Sequence, residues 1–171
     1  MYIWTAETPQ PILIKEGKGV FVQPAFDKAG SKLAFLYTDN KKEKDYTMAL
    51  WISENAGEAR EIVNRTTAGL PEGWVVSPNQ RLSFSDDAAR LFLGTAPAPL
   101  RKDSTILEAN RPNVQVWKWD EPVQYTVQHF NVKRDLKKAY AAVYDLKGNK
   151  LVQVADVELP NAQLPIKGMG D

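Results

Sequence analysis

The chain contains an internal repeat, and this feature restricts its fold more than any other. Residues 25–36, Ala-Phe-Asp-Lys-Ala-Gly-Ser-Lys-Leu-Ala-Phe-Leu, align without a gap on residues 83–94, Ser-Phe-Ser-Asp-Asp-Ala-Ala-Arg-Leu-Phe-Leu-Gly. In each copy an aromatic residue, Phe26 or Phe84, precedes a polar turn, and a basic residue followed by leucine comes after it. One unit of this size cannot bury both of its faces alone. The repeat therefore predicts stacked copies of one small β unit.

Turn residues divide the chain at regular places. Asp27 in the first copy and Ser85 in the second stand where a side chain can open the turn by hydrogen bonding to nearby backbone. The segments 27–31, 54–58 and 145–149 each place a glycine among short polar residues, where a tight turn needs a positive φ. These segments predict three hairpins.

Short runs of aromatic and β-branched residues between the turns predict a mainly all-β, antiparallel fold. The expected strands are 20–26, 32–38, 46–53, 59–63, 80–85, 90–95, 114–119, 138–145 and 150–155. The segment 121–136 is different, because Val123, Val127 and Phe130 follow one another at spacings of four and three. That spacing leaves a helix and an irregular connection both open.

Composition excludes several classes of protein. Lys and Arg total 22 against 21 Asp and Glu, with 43% hydrophobic and 25% charged residues, which is typical of a globular domain and argues against nucleic acid or a membrane as partner. Because there is no cysteine and only one histidine, a disulfide framework, a cysteine nucleophile and a histidine-rich metal centre are excluded, and we expect no cofactor. The segment 1–7 lacks the basic and apolar regions of a signal peptide, so we expect the chain to carry no targeting signal of its own.

The repeat resembles a known blade motif. Pro24-Ala25-Phe26-Asp27 and Leu82-Ser83-Phe84-Ser85 are similar to the repeat of TolB-like propellers and of the β-propeller in the prolyl oligopeptidase and dipeptidyl peptidase family of serine peptidases. The second copy departs from it, with Leu82 for proline and Ala88 for glycine. The segments 113–120, Asn-Val-Gln-Val-Trp-Lys-Trp-Asp, and 154–160, Val-Ala-Asp-Val-Glu-Leu-Pro, resemble the middle of large bacterial members.

The resemblance covers about residues 11–164 and implies a partial β-propeller within 1–171. Residues 1–15 would end a preceding blade, 20–64 and 73–120 would form blades, and 121–160 would supply a connection and the hairpin of a further blade. In that family the propeller caps an α/β-hydrolase domain that carries a Ser-Asp-His triad. The resemblance thus implies a non-catalytic scaffold and gate for peptide substrates, with the hydrolase domain and remaining blades as partners and a periplasmic or secreted parent.

Residues that could perform chemistry are few. The chain contains no G-x-S-x-G elbow, so the resemblance supplies no catalytic residue, and residues that bind substrate cannot be assigned. His129 is the one imidazole available as a general base, and Asp86-Asp87 could bind a cation or act as an acid/base pair. Each has a structural alternative. His129 would be a partly exposed polar residue on a connecting segment, and Asp86-Asp87 would cap backbone groups in a solvated turn. Gly17-Lys18-Gly19 lacks the third glycine and the following helix of a phosphate loop, and we expect 166–171 to be a frayed tail.

Two other functions remain open from the sequence. The first is a free-standing TolB-like binding module with Trp4, Trp74 or the pair Trp117 and Trp119 as its partner surface. The second is a small hydrolase that uses Asp86, Asp87 or His129. An open fragment with unpaired sheet edges is also expected to self-associate. The expected core residues, all on strands, are Phe26, Leu33, Phe35, Phe84, Leu91, Leu93, Trp117, Tyr140 and Tyr144.

Overall fold

A computed structural model describes residues 1–4, 10–40, 45–55, 57–99 and 118–162 of the chain. Strands predominate in these residues, as the sequence predicts. They are β1 Tyr2–Ile3, β2 Ile12–Leu13, β3 Val20–Phe26, β4 Lys32–Thr38, β5 Thr47–Ile52, β6 Arg60–Val63, β7 Trp74–Ser77, β8 Ser83–Phe84, β9 Arg90–Pro97, β10 Tyr140–Asp145 and β11 Lys150–Gln153. A 3-10 turn covers Ser53–Asn55, and the helix α1 covers Tyr125–Asp135.

The chain divides into two compact units, and the residues of the second interrupt the first along the sequence. The first unit contains Met1–Pro99 and Ala139–Asp171, and the second is Leu100–Lys138. The described part of the second unit holds α1, so most of the segment 121–136 is helical, over Tyr125–Asp135, after an irregular start at 121–124. The strands among the described residues belong to the first unit.

Two antiparallel sheets make up most of the first unit. The first sheet has the strand order β3-β4-β5-β6, so each strand pairs with the next along the chain. The second has the order β11-β10-β9-β7, and β8 also pairs with β9. The resemblance assigned the hairpin of β10 and β11 to a further blade. In the structure β10 pairs with β9 in this same sheet, although the residues of the second unit separate the two strands along the sequence.

The internal repeat extends over both sheets. Phe26 pairs with Leu33 in the first sheet as Phe84 pairs with Leu91 in the second. The third strand keeps the same register, because Lys32 is opposite Ile52 and Arg90 is opposite Asp145. The repeat is longer in the structure than the twelve aligned residues. It covers strands β3–β5 in the first sheet and their counterparts β7–β10 in the second.

The first strand of the repeat differs between the two copies. In the first sheet β3 is continuous, with a register shift between Val22 and Ala25. In the second sheet the equivalent strand is divided into β7 and β8, which residues 78–82 separate. The expected strand 80–85 is therefore only Ser83–Phe84, and the sequence missed β7 altogether.

The two sheets stack face to face in the same orientation. Leu33 and Phe35 face the N-terminal hairpin of β1 and β2, where they pack with Ile3 and Ile14. Their equivalents in the second sheet, Leu91 and Leu93, instead face the first sheet. The interface between the sheets is the larger core cluster, which contains Ala34, Leu36, Met48, Leu50, Ile62, Val63, Val76, Leu82, Leu91, Leu93, Ala142, Tyr144 and Leu151.

The expected core is largely confirmed. Leu33, Phe35, Leu91, Leu93, Tyr140 and Tyr144 are buried, and Phe84 packs half-buried against the interface. The prediction that Phe26 belongs to the core is wrong, because its side chain is 53% exposed at the end of β3. Trp117 and most of the expected strand 114–119 lie outside the described residues, while Trp119 is in a turn.

All three predicted turns connect adjacent antiparallel strands. Gly30 has the expected positive φ of 72°. The expectation is wrong for Gly57 and Gly148, which do not adopt a positive φ. In the third turn Asn149 does so instead, with φ 48°, because a short polar side chain tolerates this conformation.

Candidate functional site

The first turn of the repeat is built around the carboxylate of Asp27. Its Oδ1 accepts a hydrogen bond from the backbone N–H of Lys32 at 2.8 Å, and its Oδ2 accepts one from the hydroxyl of Ser31 at 2.9 Å. The backbone N–H of Asp27 donates to the carbonyl of Lys32, and that of Gly30 donates to the carbonyl of Asp27. Asp27 is only 6% exposed, so the turn is closed by a buried, fully paired carboxylate.

The second turn repeats these bonds with other side chains. The backbone N–H of Ser85 donates to the carbonyl of Arg90, and the N–H of Arg90 donates to Oγ of Ser85 at 2.9 Å. The Ser85 hydroxyl in turn donates to Asp87, whose carboxylate also accepts from the N–H of Ala89 at 3.0 Å. These bonds, that of Ser85 first, hold the pKa of Asp87 below its usual range. Both residues are therefore occupied in shaping the turn.

The two turns meet at a shallow cleft. The ammonium group of Lys32 donates to the carbonyl of Ala88 at 3.0 Å, which joins the first copy to the second. The cleft has a volume of about 340 Å³ and is lined by Asp27, Lys28, Ala29, Asp86, Asp87 and Ala88. Among the described residues no three acidic or histidine side chains are grouped to hold a metal ion. The arrangement offers a shallow surface lined mainly by charged side chains.

Gln23 connects the first sheet to the second through its side chain. Its side-chain amide donates to the carbonyl of Pro78, and its Oε1 accepts from the N–H of Leu82 at 2.9 Å. Both partners belong to the segment that divides β7 from β8. The amide thus satisfies backbone groups that a continuous strand would have paired within the sheet.

A second polar cleft, of about 330 Å³, opens at the other end of β4. It is lined by Tyr37, Thr38, Asp39, Asn40, Asp45, Thr47 and Glu61. The Tyr37 hydroxyl donates to Glu61, whose carboxylate lies 3.5 Å from the ammonium group of Lys15. Burial, together with the bond to Glu61, raises the pKa of Tyr37. Sequence reasoning missed this cluster, because its members come from three separate elements.

The predicted general base and the predicted acidic pair belong to different units of the chain. His129 lies on α1 in the second unit, with its ring 6.0 Å from the ring of Tyr125, whereas Asp86 and Asp87 belong to the first unit. Gly19 has a steric role, since a Cβ there would overlap the carbonyl of Thr38. The terminal segment 166–171 lies outside the described residues.

The tryptophans of the expected partner surface differ in their exposure to solvent. Trp74 packs against Tyr140, with ring centroids 5.0 Å apart, and so belongs to the core. Trp4 and Trp119 are 68% and 98% exposed. In the described residues we find no helix with the length and apolar character that a membrane span requires.

Comparison with known proteins gives limited information. No family model and no curated protein matches the chain. Among solved structures, TolB from Acinetobacter baumannii is similar with a TM-score of 0.37 and 14% sequence identity. The match covers 91% of this chain but 37% of the TolB chain, so this chain spans well under half of that protein's length. A similarity at this level does not establish a shared fold, whereas the antiparallel, mainly β architecture follows from the strand pairing itself.

Proposed function

We propose that the chain is a non-catalytic, β-rich interaction module that forms part of a longer stack of antiparallel sheets. The observation that carries this proposal is the equivalence of the two sheet faces. Phe92 and Val143 on the outer face of the second sheet stand at the positions of Ala34 and Leu50, which the second sheet covers in the first copy. Val152 pairs with Val143 and is 47% exposed. Phe92 is already only 7% exposed and Val143 is half-buried, so a third sheet would complete the contact at the part of this face around Val152.

The positions of the reactive side chains support a role without chemistry. Asp87 is engaged by Ser85 and Ala89 in the turn. His129 stacks on Tyr125 in a helix that buries none of its residues. These contacts support structural roles for Asp87, in shaping its turn, and for His129, on the surface of the helix.

The narrower proposal is that the stack is a β-propeller segment of a prolyl oligopeptidase-like serine peptidase, with the role of scaffold and gate. It is supported by the blade motif and by the matching bonds of the two turns at Asp27 and Ser85. Its partners would be a hydrolase domain and further blades. The source gene tests it, because the reading frame should continue into a G-x-S-x-G motif followed by Asp and His. A stop codon directly after Asp171 would contradict it.

Thiol labelling tests whether the outer face is an interface. Because the chain has no cysteine, Val152→Cys introduces a unique reporter. The thiol should react rapidly with an aromatic disulfide in the 171-residue chain and about tenfold or more slowly in a longer product of the same gene, since burial limits access. Phe26→Cys, at a side chain that is 53% exposed, is the control and should react alike in both. Equal rates for Val152→Cys would overturn the proposed stack.

Hydrolysis of a chromogenic ester and a short chromogenic peptide tests the absence of catalysis. The chain and its His129→Ala variant should both give the rate of buffer. Turnover that the variant loses would favour the small hydrolase and overturn the proposed role.

A further inference from the structure

The second unit carries an exposed helix that nothing described so far uses. The helix α1 buries none of its residues. Phe130 is 86% exposed and Leu136 just after the helix is 78% exposed, while Val127 and Val132 are each nearly half exposed. A helix of eleven residues is marginal in water unless it packs against something. This combination of length and exposure indicates a contact surface.

One side of the helix is suited to that contact. Val127, Phe130 and Arg134 follow at spacings of three and four, which places them along a single side. Val123 precedes the helix at the same spacing and is 43% exposed. The side-chain amide of Gln128 donates to the carbonyl of Val123 at 2.7 Å, which holds the approach to the first turn in place. We call Val123, Val127 and Phe130 the apolar stripe.

Charges are separated along the same segment. Asp120 and Glu121 precede the helix, whereas Lys133, Arg134, Lys137 and Lys138 lie at its end. Among the described residues the basic end forms ion pairs with Asp135, which lies 3.2 Å from Lys138 and 3.8 Å from Arg134. These pairs are largely exposed and therefore weak, so they leave the basic end available to a second acidic group.

We infer that the helix pairs in antiparallel fashion with the same helix of a second copy of this chain. A two-fold axis between Val127 and Phe130 sets Val127 of each copy against Phe130 of the other. The same axis brings Asp120 of each copy toward Lys137 of the other, whereas parallel pairing would bring like charges together. The contact is isologous, which is the common form of a homodimer interface.

This inference rests on the proposed interaction role and names its partner. A pair of helices of this length buries less than the roughly 1,200 Å² of a typical stable interface. The dimer should therefore be weak and reversible. Its dissociation constant should also rise with salt, because the charged ends are exposed.

Sedimentation of the full chain over a concentration series tests the inference. The chain should shift from monomer to dimer as concentration rises. Phe130→Glu should raise the dissociation constant about tenfold or more, because the substitution occurs twice in a two-fold interface. The matched control is Trp4→Glu, which changes an exposed aromatic residue of the first unit and should leave the constant unchanged.

A charge exchange tests the antiparallel register separately. Lys137→Glu alone should weaken the dimer, and the double variant Lys137→Glu with Asp120→Lys should restore it. Restoration is specific to the antiparallel arrangement, because a parallel pair gains nothing from the second change.

Several outcomes would overturn the inference. A chain that stays monomeric at every concentration contradicts it, while the labelling of Val152→Cys still decides the proposed role independently. A dimer that survives Phe130→Glu but is lost in Val152→Glu places the contact on the sheet face instead of the helix. Failure of the double variant to recover dimerisation rejects the antiparallel register.

Discussion

The two turns of the repeat form the same hydrogen bonds with different side chains. In the first turn Asp27 alone accepts the bond from the backbone N–H five residues later. In the second turn Ser85 accepts that bond and Asp87 supports the serine hydroxyl. Gly30 and Ala88 occupy equivalent positions, and both have a positive φ, 72° and 52°. The backbone geometry of the unit is therefore retained while the side chains that stabilise it change.

The difference shows which part of the repeat is under physical constraint. An acceptor is required at the start of the turn, because the N–H of Lys32 or Arg90 would otherwise lack its side-chain partner. Glycine is favoured but not required at the position with positive φ, since Ala88 adopts it at a moderate energetic cost. Substitutions at equivalent positions of the two copies can measure each contribution.

The largest expected effect concerns the core positions Leu33 and Leu91. Each substitution by alanine should lower the free energy of unfolding by about 2–5 kcal/mol, because each side chain is fully buried. Leu91→Ala should be the more destabilising, since a whole sheet covers it, whereas the short hairpin over Leu33 can relax into the cavity. Urea unfolding of both variants measures the difference. A larger loss for Leu33→Ala would mean that the hairpin packs as rigidly as a sheet.

The next effect concerns the turn acceptors. Asp27→Ala removes two bonds to a buried carboxylate and should cost about 1.5–3 kcal/mol, while Ser85→Ala removes hydroxyl bonds and should cost about 1 kcal/mol. Thermal unfolding of the two variants gives the comparison. Equal losses would show that the neutral Ser85 hydroxyl, which donates to Asp87, contributes as much to stability as the charged acceptor Asp27.

A smaller effect is expected at the positions with positive φ. Gly30→Ala should destabilise by about 1 kcal/mol through backbone conformation alone, because a Cβ there meets no atom within 4 Å. Ala88→Gly should stabilise by somewhat less than about 1 kcal/mol, since glycine also gains freedom in the unfolded chain. Chemical denaturation checks both signs. Destabilisation by Ala88→Gly would indicate that its methyl group contributes packing.

The smallest effect is the pH dependence at Asp87. Its pKa is lowered in the folded protein, so its contribution to stability is present above the ordinary value of about 4 and is lost as the pH falls through the lowered value. Asp87→Asn keeps an acceptor but removes the charge. The urea midpoints of the two proteins should therefore differ at pH 6 and converge once the pH falls below the lowered pKa of Asp87. A difference that is the same at pH 6 and in strong acid would assign the effect to shape and not to charge.

Much of the fold could be predicted from local patterns. The bounds of β3 and β4 follow from runs of apolar residues between strong turn signals, and both were predicted correctly. β7 was missed because Trp74–Ser77 is short and follows residues with no β pattern. Phe26 was assigned to the core by analogy with Phe84, yet only Phe84 packs against the opposite sheet. Burial at a strand end depends on the neighbouring sheet, which a local pattern does not specify.

The candidate site was less predictable. Asp27 and Ser85 carry a sequence signal, because short polar side chains at turns bond to their own backbone. The bond from Lys32 to Ala88 and the clamp of Gln23 on Pro78 and Leu82 join residues far apart in the sequence. Such contacts depend on how the sheets stack, and that arrangement is set by the tertiary structure alone.

The insertion of the second unit also determines the order in which the sheets can form. In the first sheet a short loop joins β4 and β5. In the second sheet the connection between β9 and β10 contains the whole of the second unit. The connection is about five times longer, so the loop entropy opposing this pairing is greater by roughly 1.5 kcal/mol. Local contacts generally form faster than distant ones. We therefore expect the first sheet to fold before β9 pairs with β10 in the second.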